Sequence, residues 1–594
     1  MGLLRPSDKP EKGERFDLDS GKINVIRGYL PAAAVLMLLA CCVMTAAAEE
    51  LPVEPAALQT AGIRGVQQTD PNLTGLGVRI ASVFRSMTYD GNNPLGDYRF
   101  NMSHNCFSGA NVLFEDGTDG SNGISEHATA IGGILLGLDP AGFHQQAGNF
   151  SYIGASVGAS VDVYEFWRFV SLYVFAGRPF KADILSLSLG EVFSDWWTRG
   201  IENLAESQGL LVIAAAGNGK AVYDPLLYPA AGANVIAVGV LDSTTEQSAA
   251  QNFGDFCPPR SEHSSPGPTV DSRCKPDIVA PGRCLVPDAN SATGYQIRGD
   301  WSSFAAPITA GAAALLLQKA HESPDLAAAA DKAGGNCAIK AILLTSARKL
   351  PYWHRGKPGP EDDSLSPLDC QQGAGALNAM GAYRILTAGR FQPGQANPIG
   401  WDNNNVSADS EQPNVYSFRI EKPQGAFITA TVCWNRKYQN KYPFEHLSEF
   451  DTNLRLELWA VDLRNPQANT LLQYSDSVND NVEHIYHPAE PNFTDYQLII
   501  RFSDAPPAAQ PSQRYGLAWT AGPDQTAGDI YWYDLNNDGK IDSLDELIHF
   551  LIEHDQNNII NQMSAESALK IDSQRLRTLK TNWPAWRKYL PRWN

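Results

Sequence analysis

Positive charge is scarce in this 594-residue chain. Its 46 lysines and arginines face 65 aspartates and glutamates, which gives a formal net charge of -19. Such a charge repels phosphate backbones and anionic membrane surfaces, so nucleic acid is excluded as an expected partner. The chain also lacks a CxxC or histidine-rich spacing, and we therefore predict no zinc site from these residue types.

Long apolar runs are equally scarce, and the one strong run is Tyr29–Val43. Lys22 precedes this run and small residues up to Ala48 follow it, which is the order of an export signal. We predict a signal peptide with a long n-region at residues 1–48 and a secreted or periplasmic protein with no stable membrane span after cleavage. An uncleaved membrane anchor and a lipoprotein form are the alternatives.

Cysteine is infrequent, with nine residues in the chain. Two of them fall inside the predicted signal, and the remaining seven cannot all pair with one another. Because an exported protein meets an oxidising environment, we expect some disulfides. The clustering of Cys257, Cys274 and Cys284 favours these three as participants, and the sequence does not fix their connectivity.

The pattern after a short spacer at residues 49–72 divides into three parts. Residues 73–390 alternate short apolar strands with Ala-rich helical segments, which predicts a parallel α/β sheet. Residues 391–523 show regularly spaced short strands, which predict a β-sandwich of jelly-roll type. The tail, residues 524–594, is predicted to be helical, with an acidic loop at its head.

Within the first part, predicted strands include Val78–Phe84, Ile184–Leu189, Leu210–Ala216 and Val235–Val240, and predicted helices include Ala305–Lys319 and Ala338–Ser346. In parallel α/β sheets, sites form where the strands end at their carboxyl edge. Residues that follow these strands are therefore the candidates for chemistry.

A serine stands at the head of one predicted helix, in the segment Trp301-Ser302-Ser303-Phe304-Ala305-Ala306-Pro307. Unpaired N–H groups and the positive end of the helix dipole at such a position favour a developing oxyanion. The segment resembles the serine motif of the subtilase family, and Lys275-Pro276-Asp277-Ile278-Val279-Ala280-Pro281-Gly282 resembles the strand and turn before it. The resemblance implies a subtilisin-like three-layer fold, with Ser303 as the nucleophile.

Two further motifs follow the family order. Ser125-Glu126-His127-Ala128-Thr129-Ala130 resembles the histidine motif, which implies that His127 is the general base. Ala214-Ala215-Ala216-Gly217-Asn218-Gly219 resembles the segment whose Asn donates to the oxyanion, which gives Asn218 that role. The motif matches span about residues 73–386.

The segment Asp183-Ile184-Leu185-Ser186-Leu187-Ser188-Leu189-Gly190 resembles the family strand that pairs with an extended substrate. Such pairing holds a peptide by backbone hydrogen bonds, as in β-strand addition. The resemblance implies that Ser188, Leu189 and Gly190 bind substrate beside the cleaved bond.

The acidic member of the triad departs from the family pattern. Phe84 stands at the end of the first strand, where the family has Asp. Asp90, Asp97, Asp116, Asp119 and Glu126 are nearby carboxylates, and none has the family spacing. Loss of this acid costs roughly 10⁴ in turnover in the subtilisin and trypsin templates, so both weak catalysis and an inactive scaffold are compatible with the sequence.

The acidic loop of the tail runs from Asp534 to Asp545 and fits an EF-hand. Oxygen ligands at this spacing select calcium, and Gly539 permits the sharp turn. The predicted ligands are Asp534, Asn536, Asp538, Lys540 through its carbonyl, Asp542 and Asp545. The loop resembles a single dockerin-like repeat, which implies a cohesin-like partner, and the second repeat that such docking normally uses is absent from the sequence.

These observations predict a secreted serine endopeptidase that acts on protein or peptide substrates. Two other functions remain open. One is a pseudopeptidase that holds peptides without cutting them, and the other is a calcium-dependent adhesion or assembly protein.

Overall fold

The computed structural model describes residues 56–523, apart from residues 87–88, 91–92, 95–97, 116–122, 146–147, 244–255, 351, 358–361, 364 and 409–411. The predicted signal at residues 1–48 and the predicted calcium loop lie outside the described residues. Within the described ranges, no helix is both long and apolar enough to cross a membrane.

The first part of the described chain mixes helices with mostly short strands. Its helices are α1 (Ala56–Thr60), α2 (Ile63–Thr69), α3 (Glu126–Leu136), α4 (Phe166–Phe169), α5 (Trp196–Gln208), α6 (Ser302–Glu322), α7 (Gly335–Ser346) and α8 (Ala379–Ala388), with a π-helix at Val170–Phe175. Its strands are β1 (Arg79–Phe84), β2 (Tyr89–Asp90), β3 (Asn93–Pro94), β4 (Asn111–Phe114), β5 (Leu138–His144), β6 (Gly148–Ile153), β7 (Ser160–Glu165), β8 (Ile184–Leu187), β9 (Leu211–Ala215), β10 (Val235–Ser243), β11 (Phe256–Cys257), β12 (Ile278–Pro281), β13 (Cys284–Pro287) and β14 (Tyr295–Arg298).

The central sheet has the strand order β11-β10-β9-β8-β1-β7-β4, and β12 also pairs with β10. Its strands are parallel, except that β11 runs antiparallel to β10. The inner strands β8 and β9 are buried at every position, as expected for a parallel sheet that is covered on both faces. The predicted parallel α/β sheet is therefore confirmed, and β1, β8 and β9 end at one common edge.

Helices cover the two faces of this sheet. On one face, residues of α3 and α6 share a core with Ile80 and Phe84 of β1. On the other face, α4 and α5 pack against Ala81 and Val83. The alternation of neighbouring β1 residues between two cores follows from the period of two in a strand. Helix α6 runs along β8, β9, β10 and β12, so its first turn can reach the carboxyl edge of the sheet.

The C-terminal part is β-rich. Its strands are β15 (Gly394–Gln395), β16 (Ile399–Ser407), β17 (Asn414–Arg419), β18 (Ala426–Cys433), β19 (Leu454–Val461), β20 (Thr470–Ser475), β21 (Val482–Pro488), β22 (Asp495–Phe502) and β23 (Ser512–Pro523). They form one sheet in the order β15-β17-β22-β19-β20 and another in the order β16-β23-β18-β21. Alternate residues of both sheets share one hydrophobic core, which includes Tyr416, Leu456 and Trp519.

Helix α7 joins the two parts of the fold. It packs against β18 and β23, and a Cβ added at Gly516 would lie 2.3 Å from the backbone of Cys337 and Ala338. Thr345 Oγ1 donates to Thr431 Oγ1 at 2.8 Å across this joint. Such close backbone approach and buried pairing make the β-rich part a packed neighbour of the parallel sheet.

The predicted disulfides are wrong for the described cysteines, because all seven carry thiols. Cys274 lies beside Cys370, and this contact together with burial raises the pKa of Cys274. The Cys274 backbone N–H donates to Asp480 Oδ1 at 2.8 Å. The clustering of Cys257, Cys274 and Cys284 in the sequence did not identify the neighbour of Cys274, because that neighbour, Cys370, is distant along the chain.

Candidate functional site

The predicted nucleophile lies in the first turn of α6. This helix begins at Ser302 rather than at Ala305, and the Trp301 side chain does not cap it. Ser303 is half-buried, and its carbonyl oxygen accepts a hydrogen bond from Ser188 Oγ at 2.8 Å. N–H groups of a first helical turn have no partner within the helix, so the Ser303 amide is available to bind an anion.

Asn218 is the third residue after the end of β9, and its side-chain orientation is set by Ser302. Asn218 Oδ1 accepts from the Ser302 N–H at 2.8 Å and from Ser302 Oγ at 2.9 Å. Ser302 Oγ in turn accepts from the Gly217 N–H at 3.1 Å. Because the amide oxygen is occupied twice, the Asn218 Nδ2 group is left to donate elsewhere, beside the residue that precedes Ser303.

His127 is the second residue of α3. Ser125 caps this helix, since its Oγ accepts from the Ala128 N–H at 3.1 Å. The imidazole ring meets the ring of Phe84 edge to face, with centroids 6.3 Å apart at 86°. Burial lowers the pKa of His127 to about 4, because an apolar setting disfavours the imidazolium cation.

Phe84 thus occupies the position next to the imidazole at the end of β1. The Phe84 side chain is buried at 5% exposure and also packs edge to face on Phe100, with centroids 6.0 Å apart. A phenyl ring offers no acceptor for an imidazole N–H. Within the described residues, no hydrogen bond joins His127 to a carboxylate.

Of the five carboxylates considered from the sequence, Glu126 is the one whose side chain the structure describes. It accepts from Asn290 Nδ2 at 2.9 Å and pairs with Arg298 at 2.7 Å, and these contacts lower its pKa. Glu126 is therefore engaged away from the imidazole. The side chains of Asp90, Asp97, Asp116 and Asp119 lie outside the described residues.

Sequence reasoning missed one buried carboxylate near this edge. Glu165 ends β7 and is directly in register with Phe84, at 2% exposure. Its Oε2 accepts from the Arg168 N–H at 3.0 Å, which caps α4. The signal in the sequence was a charged residue at the end of an apolar strand.

The predicted substrate segment follows β8. Ser188 is buried at 8% exposure, whereas Leu189 and Gly190 are half-buried. The next residue, Glu191, pairs with Tyr228 through N–H to O distances of 2.8 Å and 2.7 Å. A Cβ at Gly190 would lie 2.8 Å from both Leu227 Cβ and the Tyr228 carbonyl oxygen, so this position requires glycine.

The predicted calcium ligands, Asp534, Asn536, Asp538, Lys540, Asp542 and Asp545, lie outside the described residues. Inside the described ranges, one group of three side chains has metal-ligand atoms within 4.8 Å of one another: Asp242, His263 and Asp300. Arg260 pairs with Asp242 at 2.7 Å and Arg283 pairs with Asp300 at 3.1 Å. Both carboxylates of the group are therefore already neutralised by guanidinium groups.

A model of the Subtilase family matches residues 68–382, which is more than half of the chain. Serine protease AprX of Bacillus subtilis (strain 168) is 35% identical over 164 residues, covering 24% of this chain and 35% of AprX. Subtilisin BL of Lederbergia lenta is 32% identical over 136 residues, covering 23% of this chain and 42% of that protein. The matched segments thus span well under two thirds of either relative.

Subtilisin DY of Bacillus licheniformis is 30% identical over 205 residues, covering 34% of this chain and 65% of that protein. Among solved structures, a mutant of the protease domain of PatA aligns with a TM-score of 0.35 and 23% identity, covering 53% of this chain and 98% of that one.

Proposed function

Because the chain belongs to the subtilase family, we propose that it is a serine endopeptidase that hydrolyses peptide bonds in proteins through Ser303. In this proposal His127 takes the proton from Ser303 Oγ and returns it to the leaving amine. The Asn218 amide and the Ser303 N–H stabilise the oxyanion. Residues 188–190 hold the substrate as an added strand.

One observation carries the proposal: the two hydrogen bonds from Ser302 to Asn218 Oδ1, at 2.8 Å and 2.9 Å. They occupy the amide oxygen of Asn218 with Ser302, the neighbour of Ser303, and so leave the amide nitrogen of Asn218 as the donor. A donor held in place before the reaction needs no reorganisation when charge develops, and it is worth about 3 kcal/mol of barrier in subtilisin.

The proposed triad lacks its acid, with Phe84 in that position. The contact of Phe84 with His127 at 6.3 Å supports this assignment. Among the described residues no carboxylate is hydrogen-bonded to His127, and such a partner is what fixes the tautomer and stabilises the cation of the imidazole in a complete triad. The proposed enzyme is therefore slow, with its oxyanion hole as the strongest remaining contribution.

The same contact favours a second function, a pseudopeptidase that binds peptides at residues 188–190 without cutting them.

The finer features belong to the proposal as well: export through the segment at residues 1–48, a peptidase domain at residues 73–390, and a β-sandwich of jelly-roll type at residues 391–523. Calcium binding at Asp534–Asp545 completes it, with a cohesin-like partner or a calcium-dependent adhesive role for the tail, residues 524–594.

A fluorophosphonate probe tests the first function against the second, because the probe labels activated serines. The full chain is treated in the presence of calcium from pH 6 to 10, beside Ser303→Ala. Labelling that disappears in the Ser303→Ala variant is the expected result. No labelling at any pH, together with binding of an uncleaved peptide, would favour the pseudopeptidase.

A further inference from the structure

The loop of residues 260–265, which we call the brace loop, contacts the segment that follows Asn218. Lys220 N–H donates to the Ser261 carbonyl and Ala221 N–H to the Glu262 carbonyl, both at 2.9 Å. Gly219 N–H donates to Ser265 Oγ at 3.0 Å. Three consecutive amides beside the proposed oxyanion donor are therefore fixed to this one loop.

The brace loop also reaches the residues that lead into α6. His263 Nδ1 lies 3.0 Å from both carboxylate oxygens of Asp242, which is the penultimate residue of β10 and is fully buried. Atoms of Asp242, His263 and Asp300 lie within 4.8 Å of one another. Asp300 stands three residues before Ser303, so His263 lies next to the approach to the nucleophile.

The backbone at Asp300 has little freedom. Its φ is 58°, in the left-handed region where Asp is among the few tolerated residues. The next amide, Trp301 N–H, donates to the Gly282 carbonyl at 3.1 Å, and Arg283 pairs with the Asp300 carboxylate at 3.1 Å. These contacts fix the turn from which α6 starts.

Charge within the cluster is balanced by its own residues. Arg260 Nε lies 2.7 Å from Asp242, and Arg283 supplies a second guanidinium for Asp300. A carboxylate that is already paired gains less from a metal cation, because the guanidinium must first leave. The cluster is thus suited to hold segments together rather than to bind an ion.

We propose that His263 and Asp300 are positioning residues that couple the oxyanion segment after Asn218 to the start of α6. The proposal rests on the proposed function, in which the Asn218 donor must lie about 3 Å from the oxyanion formed at Ser303. The brace loop is hydrogen-bonded to residues 219–221 and places His263 within 4.8 Å of the Asp300 carboxylate, so it lies between the two segments whose separation matters. A displacement of about 1 Å in such a site can cost about 10²-fold in rate.

The test uses the full chain with His263→Ala and Asp300→Gly. Glycine adopts a φ of 58° without strain, so Asp300→Gly removes the side chain and spares the turn. Tyr352→Gly is the matched backbone control, since Tyr352 has a φ of 66° and is 92% exposed. His321→Ala, at an exposed position of α6, is the matched histidine control.

Inactivation by a fluorophosphonate is resolved into its binding constant and its chemical rate constant. We expect both variants to lower the chemical rate constant at least about tenfold, with the binding constant within about twofold and the controls at wild-type values. Equal losses in binding, rate and melting temperature would instead indicate a general structural role. An unchanged rate constant in both variants would overturn the proposal.

Hydrogen exchange provides a readout that does not depend on catalysis. In His263→Ala, the amides of Gly219, Lys220 and Ala221 should exchange faster than in wild type, while those of β18 do not change. If the wild-type chain does not react with the probe, the proposed function fails. Hydrogen exchange alone then tests whether the brace loop holds residues 219–221 in place. Unchanged exchange at the three amides would then refute it.

Discussion

The two halves of the proposed site are built in opposite ways. The half that contains Ser303 and Asn218 is polar, and each hydrogen bond within it fixes a donor or an acceptor. The half that contains His127 is apolar, with the Phe84 ring packed against the imidazole. The comparison teaches that the proposed oxyanion donor and the proposed base have separate surroundings in one fold, because Asn218 follows β9 whereas the neighbour of His127, Phe84, ends β1.

Phe84→Asp tests this separation with the largest expected effect. A carboxylate at the end of β1 would orient the imidazole and stabilise its cation, so kcat/KM should rise by up to about 10⁴. Peptide hydrolysis is measured for the variant and for Phe84→Asn, the neutral control of similar size. A rise that persists in Phe84→Asp with His127→Ala would show that His127 is not the base.

Asn218→Ala should have the next largest effect, because it removes the side-chain donor from the polar half that contains Ser303. By comparison with the same change in subtilisin, we expect a loss of about 10²–10³ in the chemical step. Single-turnover acylation measures this step directly. An Asn218→Ala chain that acylates at the wild-type rate would mean that the Ser303 amide alone stabilises the oxyanion.

Ser302→Ala should give a smaller loss, about tenfold, because the Asn218 amide remains but its oxygen loses one of two donors. The melting temperature separates this effect from misfolding, since Ser302 is buried. Ser302→Thr retains the hydroxyl and should act more like wild type. Equal rates for Ala and Thr would assign the orientation of Asn218 to the Ser302 backbone N–H.

The smallest expected effect is on the pH dependence of kcat/KM. The pKa of His127 is about 4, so the imidazole is already neutral above this pH and the acid limb of kcat/KM should lie near pH 4. In Phe84→Asp the carboxylate raises the pKa of His127, and the limb should move up by about one unit or more. Coincident limbs in the two chains would show that another group controls the profile.

The sequence predicted which residues follow the strands of the parallel sheet. Phe84 ends β1, and Ser188 and Asn218 follow β8 and β9, so all three lie at the carboxyl edge that parallel pairing gives these strands. The start of α6 was predicted three residues late because Ser302 and Ser303 interrupt the apolar pattern. The role of Ser302 toward Asn218 depends on a contact between distant segments, which local patterns do not encode.

In the β-rich part, the apolar runs at residues 426–434 and 496–502 predict strands and correspond to β18 and β22, whereas no such run predicts β16. Its sequence, with Asp402 and three consecutive asparagines, has poor strand propensity. Tertiary contacts compensate: Asp402 accepts from Arg390 Nε at 2.8 Å and from the Tyr416 hydroxyl at 2.7 Å. Polar strands that are stabilised by buried partners cannot be recognised from periodicity.

The joint made by α7 has a practical consequence for anyone who shortens this protein. Removing everything after residue 390 would uncover the face of α7 that packs on β18 and β23, including the buried Cys337. Such a fragment would expose new apolar area and a reactive thiol, and its loss of activity would report aggregation rather than chemistry. Functional dissection of this chain is therefore better done by point substitution than by truncation.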